Sequence, residues 1–475
     1  MARCYCRLRR VLLCVCTPCI LLFTFFLYIS VMMCMTMTGS ASPVVMGTAL
    51  IRENTHFVAP GTYSNKSFAP YPQTFWGMDP HRKAFWNQLQ LAVDRVFNPI
   101  LRPYTVHKGY EESLSHQSVV KQHFSEVIDL DSTKKEFKKL PQQIQDFMSH
   151  MHRRDYPVLN QPNGVCGAGA KHEKEPPLLL LAIKTSELNF KNRQAIRKTW
   201  GQAGWVSRQR RNSSTGGETG GYVRRVFLLG KEDTEDLGVD VSKLLQLESE
   251  KYGDILQWDF KDTFFNLTLK DVLFWSWFSR FCGHTRFVLK GDDDVFVNTL
   301  NMITFLQDQL NKPKANETLQ EFMFGEVIGA ALPSRVNKSK YFIPDSFYKG
   351  LYPVYAGGGG VLYSGLLAKR LHIISKRVHL YPIDDVYVGM CMVRLNAHPV
   401  HHPAFLTFDF PSPKEEEETC SYHTILVVHK RSPDQLIKLW ADMKNTQRQC
   451  GHVTLRVDEK KKDKDKPPVT VASPQ

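Results

Sequence analysis

Gly291-Asp292-Asp293-Asp294 directly follows the apolar run Phe287-Val288-Leu289-Lys290 and runs straight into Val295-Phe296-Val297. Carboxylates set between two segments that read as buried strands need a place at the rim of a sheet, because charge among apolar side chains is costly without a partner. In α/β folds that rim is where ligands bind. Carboxylates two residues apart suit a hard divalent ion carrying a diphosphate. A solvated acidic turn is the competing reading, and the apolar segments on both sides weigh against it. An EF-hand is excluded: Phe296 stands where the third ligand belongs, and the loop glycine and terminal glutamate are absent. The segment therefore reads as a nucleotide–metal site.

The surrounding pattern gives that site a domain. Leu178-Leu179-Leu180-Leu181-Ala182-Ile183 is a continuous apolar strand, consistent with burial on both faces. Asn189 to Trp200 reads as a basic amphipathic helix, Arg225 to Leu229 as a strand, and Leu244 to Tyr252 as a helix. Asp254 to Trp258 reads as a strand, and Asn266 to Phe281 as a helix rich in aromatics. This alternation predicts an α/β domain over residues 178–450, with a mostly parallel central sheet covered on both sides. Trp200, Trp258, Trp275 and Trp277 are assigned to its core. No GxGxxG or GxxxxGK[ST] is present, so neither a Rossmann dinucleotide site nor a P-loop is supported.

Arg3, Arg7, Arg9 and Arg10 precede an apolar run from Val11 to about Met37, long enough to span a bilayer. The arginines favour a cytoplasmic tail over residues 1–10, a signal anchor over 11–37, and a lumenal remainder. Cleavage at the Gly39-Ser40-Ala41-Ser42 exit stays open. Six of the eleven cysteines belong to the anchor region, and those near its cytoplasmic face are candidates for palmitoylation. Cys166, Cys282, Cys391, Cys420 and Cys450 remain, too widely spaced for a zinc site; disulfides are expected, with one cysteine left over. Asn65, Asn212, Asn266, Asn316 and Asn337 head N-glycosylation sequons. Residues 38–177 read as a stem, extended to about residue 83, followed by an N-terminal subregion with Phe85, Leu89, Ala92, Val93, Val96 and Phe97 at helical spacing. Residues 451–475 form a charged tail that reads as disordered. The net charge of +14 lies partly in the anchor flank and this tail, and nothing in it calls for nucleic acid.

Two more constellations carry chemistry. Tyr355-Ala356 precedes Gly357-Gly358-Gly359-Gly360, a run that lets backbone approach a ligand closely and adopt positive φ, while the tyrosine offers a flat face to a sugar ring. Asp384-Asp385 lies in an otherwise apolar stretch, Pro382 to Gly389, where like charges push one pKa upward and prepare one carboxylate as a general base. A helix cap at Asp384 is the plainer reading of that residue. His429 ends the apolar strand Ile425-Leu426-Val427-Val428 and becomes a nitrogen ligand if the fold sets it beside Asp294.

Together, Arg193-Gln194-Ala195-Ile196-Arg197-Lys198-Thr199-Trp200-Gly201, Asp262 through Lys270, Lys290 through Phe296, Tyr355 through Gly360 and Asp384-Asp385-Val386 closely resemble the β-1,3-glycosyltransferases, in the same order along the chain. The stretch from Ala84-Phe85-Trp86-Asn87 to Asn98-Pro99-Ile100-Leu101 resembles the β-1,3-N-acetylglucosaminyltransferase branch. The resemblance implies a single-pass type II Golgi membrane enzyme with a GT-A fold, inverting and dependent on Mn²⁺ or Mg²⁺. It implies Asp294 and His429 as metal ligands. Asp385, with Asp384 beside it, would be the base that deprotonates the galactose O3 of a Galβ1-4GlcNAc acceptor, and UDP-GlcNAc the donor. Lys184, Arg193, Arg197, Asp262 and Lys270 are then candidates for uridine and phosphates, Asp292 and Asp293 for the ribose, and Tyr355 with Gly357 to Gly360 for the sugars.

The expected outcome is extension of poly-N-acetyllactosamine on glycoproteins or glycolipids. A UDP-galactose-dependent enzyme and a catalytically dead Golgi glycan-binding protein are the alternatives, and association with itself or other glycosyltransferases stays open. The insert from Asn212 to Gly221, the Lys-rich extension past Cys450 and the lack of a cysteine near Arg153 depart from the family pattern.

Overall fold

A computed structural model describes residues 84–97, 137–162, 164, 166–169, 176–207, 220–232 and 241–457. The apolar span 11–37, the stem as far as 83, Asn98 to Leu101, the sequons at Asn65 and Asn212 and the tail past 457 lie outside the described residues. Among the described residues no helix is long and apolar enough to cross a membrane.

Strand β1 is Val158–Asn160, β2 Leu179–Lys184, β3 Gly204–Ser207, β4 Gly220–Lys231, β5 Ile255–Lys261, β6 Phe287–Asp292 and β7 Phe296–Val297. Further along, β8 is Met323–Gly325, β9 Val327–Ile328, β10 Tyr355–Ala356, β11 Gly360–Ser364, β12 Val400–His401, β13 Phe405–Leu406 and β14 Val427–Val428. The longer helices are α1 (Phe85–Phe97), α2 (Gln142–His150), α3 (Phe190–Lys198), α4 (Val241–Tyr252), α5 (Leu267–Phe281), α6 (Thr299–Leu310), α7 (Gly365–Ser375), α8 (Asp384–Arg394) and α9 (Pro433–Cys450).

The strand order of the main sheet is β1-β5-β4-β2-β6-β11-β8-β12, with β3 on β4. Because β2 is apolar at every position but its last, it is buried on both faces. Leu179, Leu181 and Ile183 enter one core cluster, and Leu180 and Ala182 the other. Helices α5, α7 and α8 cover the second of these faces; α3 and α6 cover the first. All four tryptophans assigned to the core are buried.

The expected mostly parallel sheet holds at its centre, where β5, β4, β2 and β6 run parallel, and in the edge pair β8–β12. β1, β3 and β11 pair antiparallel, β11 also pairs antiparallel with β8, and the sheet is mixed. After Asp292 the chain leaves through β7 and α6 and comes back through the glycine run, entering beside β6 in the opposite sense, with Gly360 facing Gly291. No βαβ crossover links β6 to β11, so nothing requires them to be parallel. β4 lies on one side of β2 and β6 on the other, which makes the C-terminal ends of β2 and β6 a switch point where a crevice opens. Lys184 and Asp292 face each other in register there.

Helix α1 packs against this body. Trp86 Nε1 donates to the Leu380 carbonyl at 3.0 Å, and Gln90 accepts from the His379 N–H at 2.8 Å and donates to the Arg377 carbonyl at 3.0 Å. Asp94 takes two hydrogen bonds from buried Arg394, at 2.8 and 2.6 Å, near the far end of α8. Removing one partner of such a pair strands a buried charge, so Asp94→Ala is expected to lower stability by about 3–5 kcal/mol in urea unfolding. Disulfides join Cys166 to Cys282 and Cys420 to Cys450, and Cys391 is free and buried.

Candidate functional site

The carboxylate run splits by side. Asp292 is the last residue of β6, Asp294 lies in the turn before β7, and β7 pairs with β14, which ends just before His429. Asp292, Asp294 and His429 can each offer one ligand atom, with all three atoms within 4.8 Å of one another. His429 Nε2 lies 3.1 Å from Asp294 Oδ1 and 3.9 Å from Asp292 Oδ2. His429 Nδ1 is 3.2 Å from the Thr407 carbonyl, which favours the tautomer with the proton on Nδ1 and the Nε2 lone pair turned to the carboxylates. Two carboxylates and one imidazole, all partly exposed, fit a divalent ion with coordination positions left for a diphosphate.

The central carboxylate faces the other way. Asp293 Oδ2 accepts from Thr185 Oγ1 and from Asn189 Nδ2 at 2.9 Å, tying the turn to the chain after β2.

Across the crevice, Asp384 and Asp385 form the first turn of α8, where carboxylates complement the helix dipole. Ile383, not Asp384, holds the cap position. Lys184 Nζ hydrogen-bonds Asp384 Oδ2 and lies 3.0 Å from Asp271 Oδ1. Lys290 Nζ lies 2.9 Å from Asp271 Oδ2, 4.0 Å from Asp384 Oδ2 and 3.9 Å from Asp385 Oδ1. Burial works against the Lys184 ammonium, but Asp271 and Asp384 together keep it well above its ordinary range. Burial also works against the Asp384 charge; Lys184 and Lys290 outweigh it and hold that carboxyl low. Asp385 goes the other way, pushed well up by burial and by the Asp384 charge next to it. Its Oδ1 is buried without a hydrogen-bond partner. Two adjacent carboxyls driven apart in this way separate a fixed charge from a proton acceptor.

The glycines stand between these two centres. A Cβ on Gly358 would come within 2.4 Å of Asp385 Oδ2, and one on Gly359 within 2.9 Å of His429 Cβ and Cγ. None of Gly357 to Gly360 is among the glycines with positive φ, so the expectation of left-handed backbone is corrected. Close approach alone explains the run: Gly358 and Gly359 meet the site's own Asp385 and His429, while Gly357 and Gly360 pack against Thr407 and Val427. Gly358→Ala is therefore expected to abolish most turnover while the melting temperature stays near that of the unmodified protein. Tyr355 is half-buried on β10, its hydroxyl held protonated by burial and by the Asp385 charge.

The donor-binding candidates need correction. Arg193 is wholly buried; its guanidinium serves Glu248 at 2.8–3.1 Å and the carbonyls of Ser186 and Glu187. Arg197 serves Glu248 and both oxygens of Asp254. Lys270 is shared between Asp262, at 2.9 Å, and the Thr185 carbonyl, at 2.7 Å, and Asp262 also accepts from the Gly230 N–H. With Lys184 committed to carboxylates, these groups brace the crevice and present no free cation to a phosphate. The basic face of α3 looked open because its acidic partners come from α4 and the start of β5, far along the chain. Asp292 lies with Asp294 and His429 in the group that could hold an ion, and Asp293 is paired with Thr185 and Asn189.

Lys290 and Asp271, which pair with the carboxylates of the crevice, were missed. A lone acid in the aromatic helix α5 was a usable signal for Asp271. Asn266 Nδ2, the atom a glycan would take, donates to the Lys261 carbonyl at 2.8 Å, whereas Asn337 is exposed in a turn.

The family model described as galactosyltransferase matches residues 191–403. The chain is 42% identical over 378 residues to N-acetyllactosaminide beta-1,3-N-acetylglucosaminyltransferase 2 of Homo sapiens, covering 80% of this chain and 89% of that protein. It is 41% identical to the Mus musculus protein of the same name, over 80% and 89% of the two chains. With UDP-GlcNAc:betaGal beta-1,3-N-acetylglucosaminyltransferase 7 of Rattus norvegicus it shares 39% identity, over 64% and 72%.

Proposed function

This chain belongs to the galactosyltransferase family of β-1,3-glycosyltransferases, and from that premise we propose that it transfers GlcNAc from UDP-GlcNAc to O3 of a terminal galactose, extending N-acetyllactosamine chains with inversion. The observation that carries the mechanism is the division of labour in α8. Asp384 keeps its charge under two lysines, and Asp385 is tuned to take up a proton beside an open crevice. Asp385 would accept the proton from the acceptor hydroxyl as its oxygen attacks the anomeric carbon. Attack from the face opposite the departing UDP turns the α-linked donor into a β product.

Asp292, Asp294 and His429 would hold a divalent cation, Mn²⁺ or Mg²⁺. A cation there neutralises the negative charge that builds on the leaving diphosphate, so no acidic side chain is needed. Asp293, Thr185 and Asn189 hold the carboxylate turn in place, and the glycine run keeps Asp385 and His429 close on either side of it. Tyr355 and the same glycine run are proposed to line the sugar sites.

The mixed sheet with carboxylates at its switch point supports a GT-A assignment. The apolar span 11–37 with its flanking arginines supports a type II Golgi anchor, and the five cysteines beyond it supply two disulfides, as suits an oxidising lumen. Donor competition tests the reading: full-length protein is given Mn²⁺, N-acetyllactosamine, UDP-GlcNAc and UDP-galactose together. GlcNAc incorporation is expected. Galactose incorporation would move the protein to the alternative donor, and incorporation of neither would remove the enzyme reading.

A further inference from the structure

Arg431 touches both halves of the metal cluster and ligates neither. Its backbone N–H donates to the Asp294 carbonyl at 2.6 Å, and its guanidinium Nη1 donates to the His429 carbonyl at 3.0 Å and the Lys430 carbonyl at 3.2 Å. The side chain is 3% exposed and is gripped from the other side. Asp409 accepts at 2.6 and 3.0 Å, Glu416 at 2.9 Å, and the Tyr422 hydroxyl at 3.1 and 3.2 Å; that hydroxyl in turn donates to Glu416 at 2.6 Å.

The backbone around this knot is unusual. Lys430, between the histidine and the arginine, has φ +64, and Asp409, the main carboxylate partner, has φ +85. Non-glycine residues in the left-handed region are strained and persist only where the surroundings over-determine them. The turn at Lys430 lets the His429 imidazole and the Arg431 amide meet the same residue, Asp294.

We infer that Arg431 is a positioning residue for the metal site: with Asp409 as its anchor, it fixes the approach of His429 Nε2 to Asp294 and thereby the affinity for a divalent cation. The inference rests on the proposed metal site. A residue that only staples β13 and β14 to β7 would affect stability and leave cation affinity alone.

The test is direct Mn²⁺ binding by the full-length protein with UDP present, read from the electron paramagnetic resonance signal of free Mn²⁺, beside melting curves. Arg431→Lys keeps the charge and loses the planar fork; it is expected to weaken Mn²⁺ binding about tenfold, as losing an outer hydrogen-bond partner does at other metal sites. Asp409→Asn keeps a side chain that tolerates the left-handed backbone and removes the carboxylate; it is expected to weaken binding several-fold in a protein that remains folded. Asp94→Asn, which disturbs the buried pair between α1 and the far end of α8, should lower the melting temperature and leave Mn²⁺ affinity unchanged. Wild-type Mn²⁺ affinity in folded Asp409→Asn and Arg431→Lys proteins would overturn the inference. Absence of Mn²⁺ binding by the unmodified protein would instead remove the metal site itself, and the inference with it.

Discussion

Asp385→Asn is expected to leave a folded protein that binds UDP as before and turns over roughly 100- to 10,000-fold more slowly, the usual contribution of a positioned base. The substitution is nearly isosteric, so the tight contact with Gly358 survives, and the change removes proton affinity without opening space. The effect should fall on kcat, since in the proposed mechanism the carboxylate acts on the acceptor hydroxyl and has no part in holding the nucleotide. A related pH dependence follows in the unmodified enzyme. The base works only when ionised, and burial beside Asp384 raises its pKa, so kcat should decline on the acid side at a pH above the ordinary carboxylate range. Wild-type turnover by Asp385→Asn would remove it as the base.

Asp294→Ala is expected to act on binding instead. With one of its two carboxylates gone, the cluster keeps Asp292 and His429, and Mn²⁺-dependent UDP binding should weaken at least about 100-fold, because even outer-shell changes at metal sites cost 10- to 100-fold. Calorimetric titration of UDP with Mn²⁺ and with chelator separates the terms: the unmodified protein should show a large difference, and Asp294→Ala almost none. Equal UDP affinity with and without Mn²⁺ in the unmodified protein would contradict the metal assignment. The Asp385→Asn protein should keep the full Mn²⁺ effect, which makes the two substitutions opposite in signature.

Much of this was legible in the sequence, and for local reasons. The run Leu178 to Ile183 is apolar at every position, so burial on both faces followed from composition, and the strand end at the carboxylates followed from their charge. Asp294, His429 and Asp385 stood out because each ends or interrupts an apolar segment, where a charged side chain needs a use. What stayed hidden depends on partners remote in sequence. Arg193 and Arg197 lie about fifty residues from Glu248 and Asp254, and nothing local shows that those acids turn inward. Lys184 and Asp384 are two hundred residues apart. The antiparallel entry of β11 was equally out of reach, because pattern gives strand presence and burial but leaves direction to the return path of the chain. The glycines carried the right message, close approach, with the wrong object: the neighbours of Gly358 and Gly359 are Asp385 and His429, and those of Gly357 and Gly360 are Thr407 and Val427.

The proposed reaction turns on one chemical event, proton removal by Asp385 as a galactose oxygen displaces UDP from the far face. The measurement that tests it most directly is the structure of the product made by the full-length protein from UDP-GlcNAc and N-acetyllactosamine with Mn²⁺, read by NMR for linkage position and anomeric configuration. A β-linked GlcNAc on O3 of the terminal galactose is the predicted result. An α-linked product, or a linkage to another hydroxyl, would contradict it.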